Sequence, residues 1–131
     1  MQGNTWKSGF YLGWVFVTLC AVAVVLGLTH IPGEDMPPIL EVHDLDKLEH
    51  LAAYGLIASF FLLSLRRPVR LALLLLGLAV LAGMGALDEL TQPLVHRAAS
   101  LGDYACDLAG IALACLLFGA AQLSGFRPAS R

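Results

Sequence analysis

Charged side chains are scarce in this sequence. Aspartate, glutamate, lysine and arginine make up 14% of the 131 residues, and apolar residues make up 58%, whereas soluble globular chains carry roughly a quarter charged residues. The chain also lacks an excess of positive charge, because its formal net charge is -2 and nucleic-acid-binding domains usually present a basic patch. The composition therefore excludes an ordinary soluble domain and argues against a nucleic-acid partner.

Cysteine is also sparse, and it shows no metal-binding spacing. Cys20, Cys106 and Cys115 lie in apolar stretches and form no C-x-x-C pair, so we predict free thiols that fill space inside helices. The chain has neither a glycine-rich phosphate loop nor an H-E-x-x-H motif. The sequence therefore contains none of these established nucleotide or zinc signatures.

Long apolar segments are what the chain has in place of charge. A membrane-spanning helix needs about 20 mostly apolar residues. Four candidates run from about Phe10 to Leu28, Asp46 to Leu65, Leu71 to Leu90, and Asp103 to Leu123. The first exceeds the apolar core of a signal peptide, which has about 7–15 residues, so we interpret it as a retained anchor. We predict an all-α membrane protein, a four-transmembrane-helix bundle formed by one domain, residues 1–131.

Basic residues are unevenly distributed between the two ends of this predicted bundle. With four spans, both termini and the short turn after the second span lie on one side. That side holds Lys7, Arg66, Arg67, Arg70, Arg127 and Arg131. Only Lys47 and Arg97 lie on the other side. Because cytoplasmic loops carry the excess of lysine and arginine, we predict cytoplasmic termini and a multi-pass protein of the plasma or inner membrane.

Acidic residues and histidines cluster toward the non-cytoplasmic face. All ten acidic residues and all four histidines lie there in this arrangement. Acidic residues do not determine orientation, so their segregation has a separate cause and suggests a site. The candidates for catalytic groups are Asp46, His50, Asp88, Glu89 and Asp107. The candidates for substrate binding are Lys47, Tyr54, Gln92, Arg97 and Asp103.

The second segment starts with a polar stripe. Asp46, His50 and Tyr54 are four residues apart and share one helix face. An N-cap by Asp44 or Asp46 would explain the carboxylates, but it would not explain why His50 and Tyr54 continue the stripe into the membrane. The stripe therefore favours a site over capping alone.

The third and fourth segments bring more carboxylates to the same face. Asp88 and Glu89 lie at a helix C-terminus, where negative charge is unfavourable unless Lys47, Arg97, a protonated His50 or a metal compensates it. Asp103 is expected to be an ordinary cap, and Asp107 lies one turn deeper. An ionisable group inside a span usually faces a bundle interior or a wet cavity, although a structural hydrogen bond between helices is the alternative.

The other histidines and one serine give weaker signals. His30, His43 and His96 lie at span ends or in loops, where solvated side chains are expected. Ser100 has no defined partners for a catalytic triad, because triads are recognised by geometry. These residues are therefore not included among the candidates.

Three short motifs together indicate a family. They are Asp46-Lys47-x-x-His50-x-x-x-Tyr54, then Asp88-Glu89-x-x-Gln92, then Arg97 followed by Asp103, Asp107 and Gly110. Their order and spacing, over about residues 44–111, resemble the VanZ-like family of small membrane proteins. This chain has Asp107 where the family often has asparagine. The family is named after a protein associated with low-level resistance to the glycopeptide teicoplanin, so the resemblance implies a role in the cell envelope.

Three functions compete on this pattern. In the first, the cluster binds or acts on an envelope lipid or a cell-wall precursor head group, with His50 moving a proton and Arg97 and Lys47 holding a phosphate. The same carboxylates with His50 could instead hold a divalent cation, which favours oxygen ligands. In the second, the cluster is a structural network in a scaffold protein. The third, transport or proton relay, is disfavoured because the cytoplasmic halves of the spans are apolar.

Overall fold

Four α-helices account for most of the described chain. The computed structural model describes residues 9–32, 34, 43–66 and 69–124, without the side chains of His43 and Asp44. The helices are α1 (Leu12–Thr29), α2 (His43–Ser64), α3 (Leu71–Thr91) and α4 (Leu101–Leu123). The described residues contain no strand, and Phe10 and Leu65 form one isolated antiparallel bridge. The predicted all-α class and the four helices are confirmed, with ends shifted by a few residues.

Some charged residues on which the predicted orientation depends lie outside the described residues. They are Lys7, Asp35, Glu41, Arg67, Arg127 and Arg131. Arg66 and Arg70 represent the basic end of the bundle among the described residues.

Three of the helices are long and apolar enough to cross a membrane. They are α1, α3 extended through residue 95, and α4. α1 buries none of its residues, and large apolar side chains such as Phe16 and Leu116 are exposed, which suits helices that face lipid rather than water. α2 is less apolar overall, because its first two turns carry Asp44, Asp46, Lys47, Glu49 and His50.

The helix ends follow local chemistry, with two corrections to the sequence predictions. Ser100 is the N-cap of α4, and its hydroxyl accepts a hydrogen bond from the Asp103 backbone N–H at 3.2 Å, so the expectation that Asp103 caps this helix was wrong. α2 begins at His43, so Asp44 and Asp46 lie within its first turn rather than at its cap. Carboxylates are still favourable there, because the N-terminal end of a helix is electropositive.

α3 ends in a tight turn that redirects the chain. A 3₁₀-helix, Gln92–Val95, follows it directly. Pro93 offers no backbone N–H to continue the α-helix, and His96 closes the turn in the left-handed conformation at φ 58°. The chain then returns across the bundle end to start α4.

The core lies between α2 and α4, which make the most extensive contact. A Cβ atom on Gly110 would overlap the Leu51 carbonyl oxygen and lie 2.8 Å from the Gly55 nitrogen, so the two backbones touch at this point. Below it, Ile57, Ala58 and Ile111 are buried. This close approach places His50 of α2 opposite Asp107 of α4.

The two ends of the bundle differ in chemistry. At one end, the Tyr11 N–H donates to the Ser64 carbonyl at 2.7 Å and the Arg66 N–H donates to the Gly9 carbonyl at 2.9 Å. The start of α1 and the end of α2 therefore meet beside Arg66. The other end gathers the last turn of α1, the first two turns of α2 and α4, and the last turn of α3. The helices α2, α3 and α4 carry acidic residues there.

Candidate functional site

His50 lies at the centre of the polar end, between two helices that each present a carboxylate. Its Nδ1 atom lies 2.9 Å from Asp107 Oδ1 on α4, and its Nε2 atom lies 3.7 Å from Glu89 Oε1 on α3. The side chains of these residues are buried, with exposed fractions of 3% for His50, 7% for Glu89 and 0% for Asp107. One imidazole and two carboxylates from three helices thus share one buried site.

Glu89 is held by two donors from the chain that follows α3. The Gln92 amide donates to Glu89 Oε1 at 3.2 Å, and the Ser100 backbone N–H donates to Glu89 Oε2 at 2.7 Å. The α3–α4 connection therefore fixes the orientation of this carboxylate. The Gln92 side chain thus contacts Glu89, three residues earlier, while its backbone N–H donates to the Asp88 carbonyl as in an α-helix.

Asp88 is bound by Thr29, the last residue of α1, and by His30, which follows it, and neither is among the candidate residues. The Thr29 hydroxyl donates to Asp88 Oδ1 at 2.7 Å, and His30 Nδ1 lies 3.4 Å from the same oxygen. His30 Nε2 also lies 2.9 Å from the Thr91 hydroxyl oxygen. His30 is thus half-buried and hydrogen-bonded rather than solvated, whereas His96 is exposed as expected. The sequence offered one indication of this role, because Thr29 and His30 lie at the end of a predicted span on the acidic face.

The two basic residues of this end pair with two further aspartates. Arg97 Nη2 donates to Asp46 Oδ1 at 3.1 Å, and Arg97 Nη1 donates to the Thr29 carbonyl at 2.9 Å. Lys47 Nζ lies 4.0 Å from Asp103 Oδ1. Arg97 therefore ties α1, α2 and the α3–α4 connection together at the rim.

Several buried polar atoms in the cluster have no hydrogen-bond partner among the described residues. Asp88 Oδ2, Asp103 Oδ1, Asp107 Oδ2 and the Tyr54 hydroxyl are in this state. For Asp103, the ion pair with Lys47 at 4.0 Å is a contact between charges and too long for a hydrogen bond. Unpaired buried polar atoms are uncommon and costly, so the cluster has an unmet demand for positive charge or donors.

A cavity of about 380 Å³ opens beside His50, between α1 and α2. Its walls are apolar where Val25 and Leu28 of α1, and Ile31 just after the helix, contribute. They are polar where Asp46, Glu49, His50, Tyr54 and Arg97 contribute. A second cavity of about 480 Å³ lies between α1 and α3, and His30, Asp88 and Thr91 contribute its polar lining. The polar cluster is therefore accessible from two sides of α1.

All ten candidate residues lie at this one end of the bundle. Asp46, His50 and Tyr54 run along one side of α2, as their spacing predicted, and His50 and Tyr54 are buried. Two sets offer ligand atoms within 4.8 Å of one another, namely Asp46 with His50 and Asp103, and His50 with Glu89 and Asp107. The roles assigned to these residues from the sequence stay predictions.

Comparisons with protein-family models, with curated proteins and with solved structures found no match to this chain. The resemblance to the VanZ-like family thus stays a prediction that rests on the three motifs.

Proposed function

We propose that this chain is a VanZ-like, four-span protein of the cell membrane that binds the anionic head group of an envelope lipid or cell-wall precursor. The head group would lie in the cavity between α1 and α2, at the non-cytoplasmic face. The observation that carries this proposal is the two-sided lining of the cavity of about 380 Å³. An amphiphilic ligand needs such a lining, because its chain prefers apolar walls and its head group prefers polar ones.

Arg97 is the residue we assign to the phosphate of that head group. A guanidinium has five N–H donors in a planar fork, and Asp46 and the Thr29 carbonyl engage Nη2 and Nη1. These contacts hold the fork at the cavity wall and leave further donors for a phosphate. Lys47, the residue after Asp46 in α2, adds a second positive charge at the same end.

The membrane placement draws on charge sidedness. Arg66 and Arg70 lie at the end of the bundle opposite the polar cluster, with the other basic residues of the termini on the same side in sequence. The positive-inside rule then assigns that end to the cytoplasm. α2 would be the fourth span, with its polar first turns at the outer interface and its apolar part from Leu56 onward in lipid.

A structural scaffold is the competing function, and one observation favours it. The pairs Thr29–Asp88, His50–Asp107 and Arg97–Asp46 each link different helices or connections. Interhelical polar contacts in membranes contribute only about 0.6 kcal/mol each on average. A scaffold does not require the cavity, so ligand binding separates the two functions.

The experiment compares lipid binding by two arginine variants in nanodiscs. We expect the purified protein to bind phosphatidylglycerol or a polyprenyl phosphate in preference to phosphatidylcholine. Arg97→Gln should weaken that binding by about tenfold or more, since a hydrogen bond to a charged group contributes about 1.5–3 kcal/mol. Arg70→Gln is the matched control, because Arg70 is exposed at the opposite end.

Thermal unfolding of each variant checks that the fold survives the substitution. Equal affinities for the two variants, or no preference for anionic lipid in the unmodified protein, would refute the lipid site and leave the scaffold function.

A further inference from the structure

We propose that His50, Glu89 and Asp107 bind Zn²⁺. The three side chains offer one nitrogen and two carboxylate oxygens within 4.8 Å of one another. One imidazole with carboxylate ligands is a donor set that Zn²⁺ accepts, often with a fourth position open to water or substrate. The metal site stands whether or not the neighbouring cavity takes a lipid.

The burial of these three residues makes an uncompensated cluster unfavourable. Their side chains are at most 7% exposed, and Asp88 and Asp103 are buried beside them. Charge on a buried carboxylate is costly unless it is paired or bound to a metal. Lys47 Nζ lies 4.0 Å from Asp103 Oδ1 and His30 Nδ1 lies 3.4 Å from Asp88 Oδ1, so the outer carboxylates have partners of their own. Glu89 and Asp107 share the one imidazole of His50, and a divalent ion would compensate both carboxylates.

An independent observation is the unpartnered oxygen of Asp107. This side chain is 0% exposed, and it gives Oδ1 to His50 at 2.9 Å, while Oδ2 has no hydrogen-bond partner among the described residues. The Tyr54 hydroxyl, also buried, has none either. A metal ion that binds this Asp107 oxygen through its lone pairs would supply the partner that the described residues do not supply.

The surroundings of Glu89 resemble the support that metal ligands usually receive. Gln92 and the Ser100 N–H each donate to one of its oxygens, at 3.2 Å and 2.7 Å. A carboxylate oxygen has two lone pairs, so each retains capacity for a metal. Groups that orient a ligand in this way typically raise metal affinity by about tenfold to a hundredfold. His50 lines the cavity between α1 and α2, which gives an ion a route of entry.

The test measures metal binding by the purified chain directly. The full chain, carrying a histidine-free affinity tag, is stripped with a chelator in detergent and titrated with Zn²⁺ by calorimetry, and the bound metal is counted by mass spectrometry. We expect one ion per chain, and a higher unfolding temperature when it is bound. Asp107→Asn and Glu89→Gln should abolish this binding, and Gln92→Ala should weaken it by about tenfold to a hundredfold.

Glu34→Gln is the control, because Glu34 is an exposed acid that follows α1 toward the same end, and it should bind like the unmodified protein. Far-UV circular dichroism identifies variants that do not fold, and the titration of the unmodified chain decides the question without them. Absence of stoichiometric Zn²⁺ in that titration would overturn the proposal. So would a folded Asp107→Asn protein that binds as tightly as the unmodified one, or an equal loss in Glu34→Gln.

Discussion

At the scale of single residues, Thr29 is the clearest case of a side chain whose role only the structure reveals. Its hydroxyl donates to Asp88 Oδ1 at 2.7 Å, across the interface between α1 and α3. Asp88 is 1% exposed, and its other oxygen has no partner in the described part of the chain. Thr29 therefore supplies one partner of a buried carboxylate.

We expect Thr29→Val to lower the free energy of unfolding by about 1–2 kcal/mol. Valine keeps the shape of threonine and removes the donor, and a buried acceptor that loses its partner costs about 1–3 kcal/mol. Reversible unfolding in mixed detergent micelles measures the difference. The matched control is Thr18→Val in the same helix, where the hydroxyl bonds only to the Trp14 carbonyl one turn earlier. A loss as large for Thr18 as for Thr29 would contradict this role for the Asp88 contact.

The individual residues of the site were partly predictable from the sequence. Regular spacing in one helix was sufficient to align Asp46, His50 and Tyr54, because the α-helical repeat fixes which residues share a face. The contacts of Thr29 and His30 with Asp88 could not be predicted in this way, because Thr29 and Asp88 are 59 positions apart in the sequence. No local pattern in the chain encodes a contact across that distance.

At the scale of helices, the end of α3 shows how the fold offsets an unfavourable arrangement. Glu89 lies in the last turn of α3, where the helix dipole disfavours a negative charge. Its Oε2 accepts from the Ser100 N–H at 2.7 Å, at the N-terminus of α4. The electropositive start of one helix thus compensates the carboxylate at the end of another. The sequence predicted that compensation was needed, and the tertiary structure supplied a backbone donor for it.

The closest helix contact also gives a prediction. Gly110→Ala should lower the free energy of unfolding by about 1–3 kcal/mol or more, because the added methyl overlaps the Leu51 carbonyl and forces α2 and α4 apart. The same unfolding experiment measures it. This displacement should also move His50 away from Asp107.

Gly119→Ala is the control within the same helix. A Cβ at Gly119 meets no atom within 4 Å, and alanine is favoured over glycine in a helix by up to about 1 kcal/mol. This variant should therefore be neutral or slightly stabilised. If Gly110→Ala were equally stable, the close backbone approach between α2 and α4 would be wrong.

At the scale of the whole molecule, orientation in the membrane is the property on which the proposed function depends. The polar cluster and Arg66 lie at opposite ends of the bundle. The proposed orientation, with the Arg66 end in the cytoplasm and the polar end facing away from it, rests on the distribution of basic residues.

Cysteine labelling of intact cells tests that orientation. In a variant whose Cys20, Cys106 and Cys115 are replaced by alanine, a membrane-impermeant maleimide should label His96→Cys and Glu34→Cys. Arg70→Cys should be labelled only after the cells are permeabilised. All three positions are exposed, so accessibility in the protein itself does not limit the reaction. The reverse pattern would place the polar cluster in the cytoplasm and refute a site at the outer face.

The sequence by itself determined the helical class and the segregation of acids from most basic residues. It also predicted four apolar segments, of which three are helices long and apolar enough to cross a membrane. Composition and helical periodicity are local properties, so these features can be read along the chain. Only the tertiary structure decided which acid faces which base. The contact of Gly110 with α2, the turn after Pro93 and the return of Ser100 to Glu89 bring together groups from separate helices, and these pairings depend on packing in three dimensions.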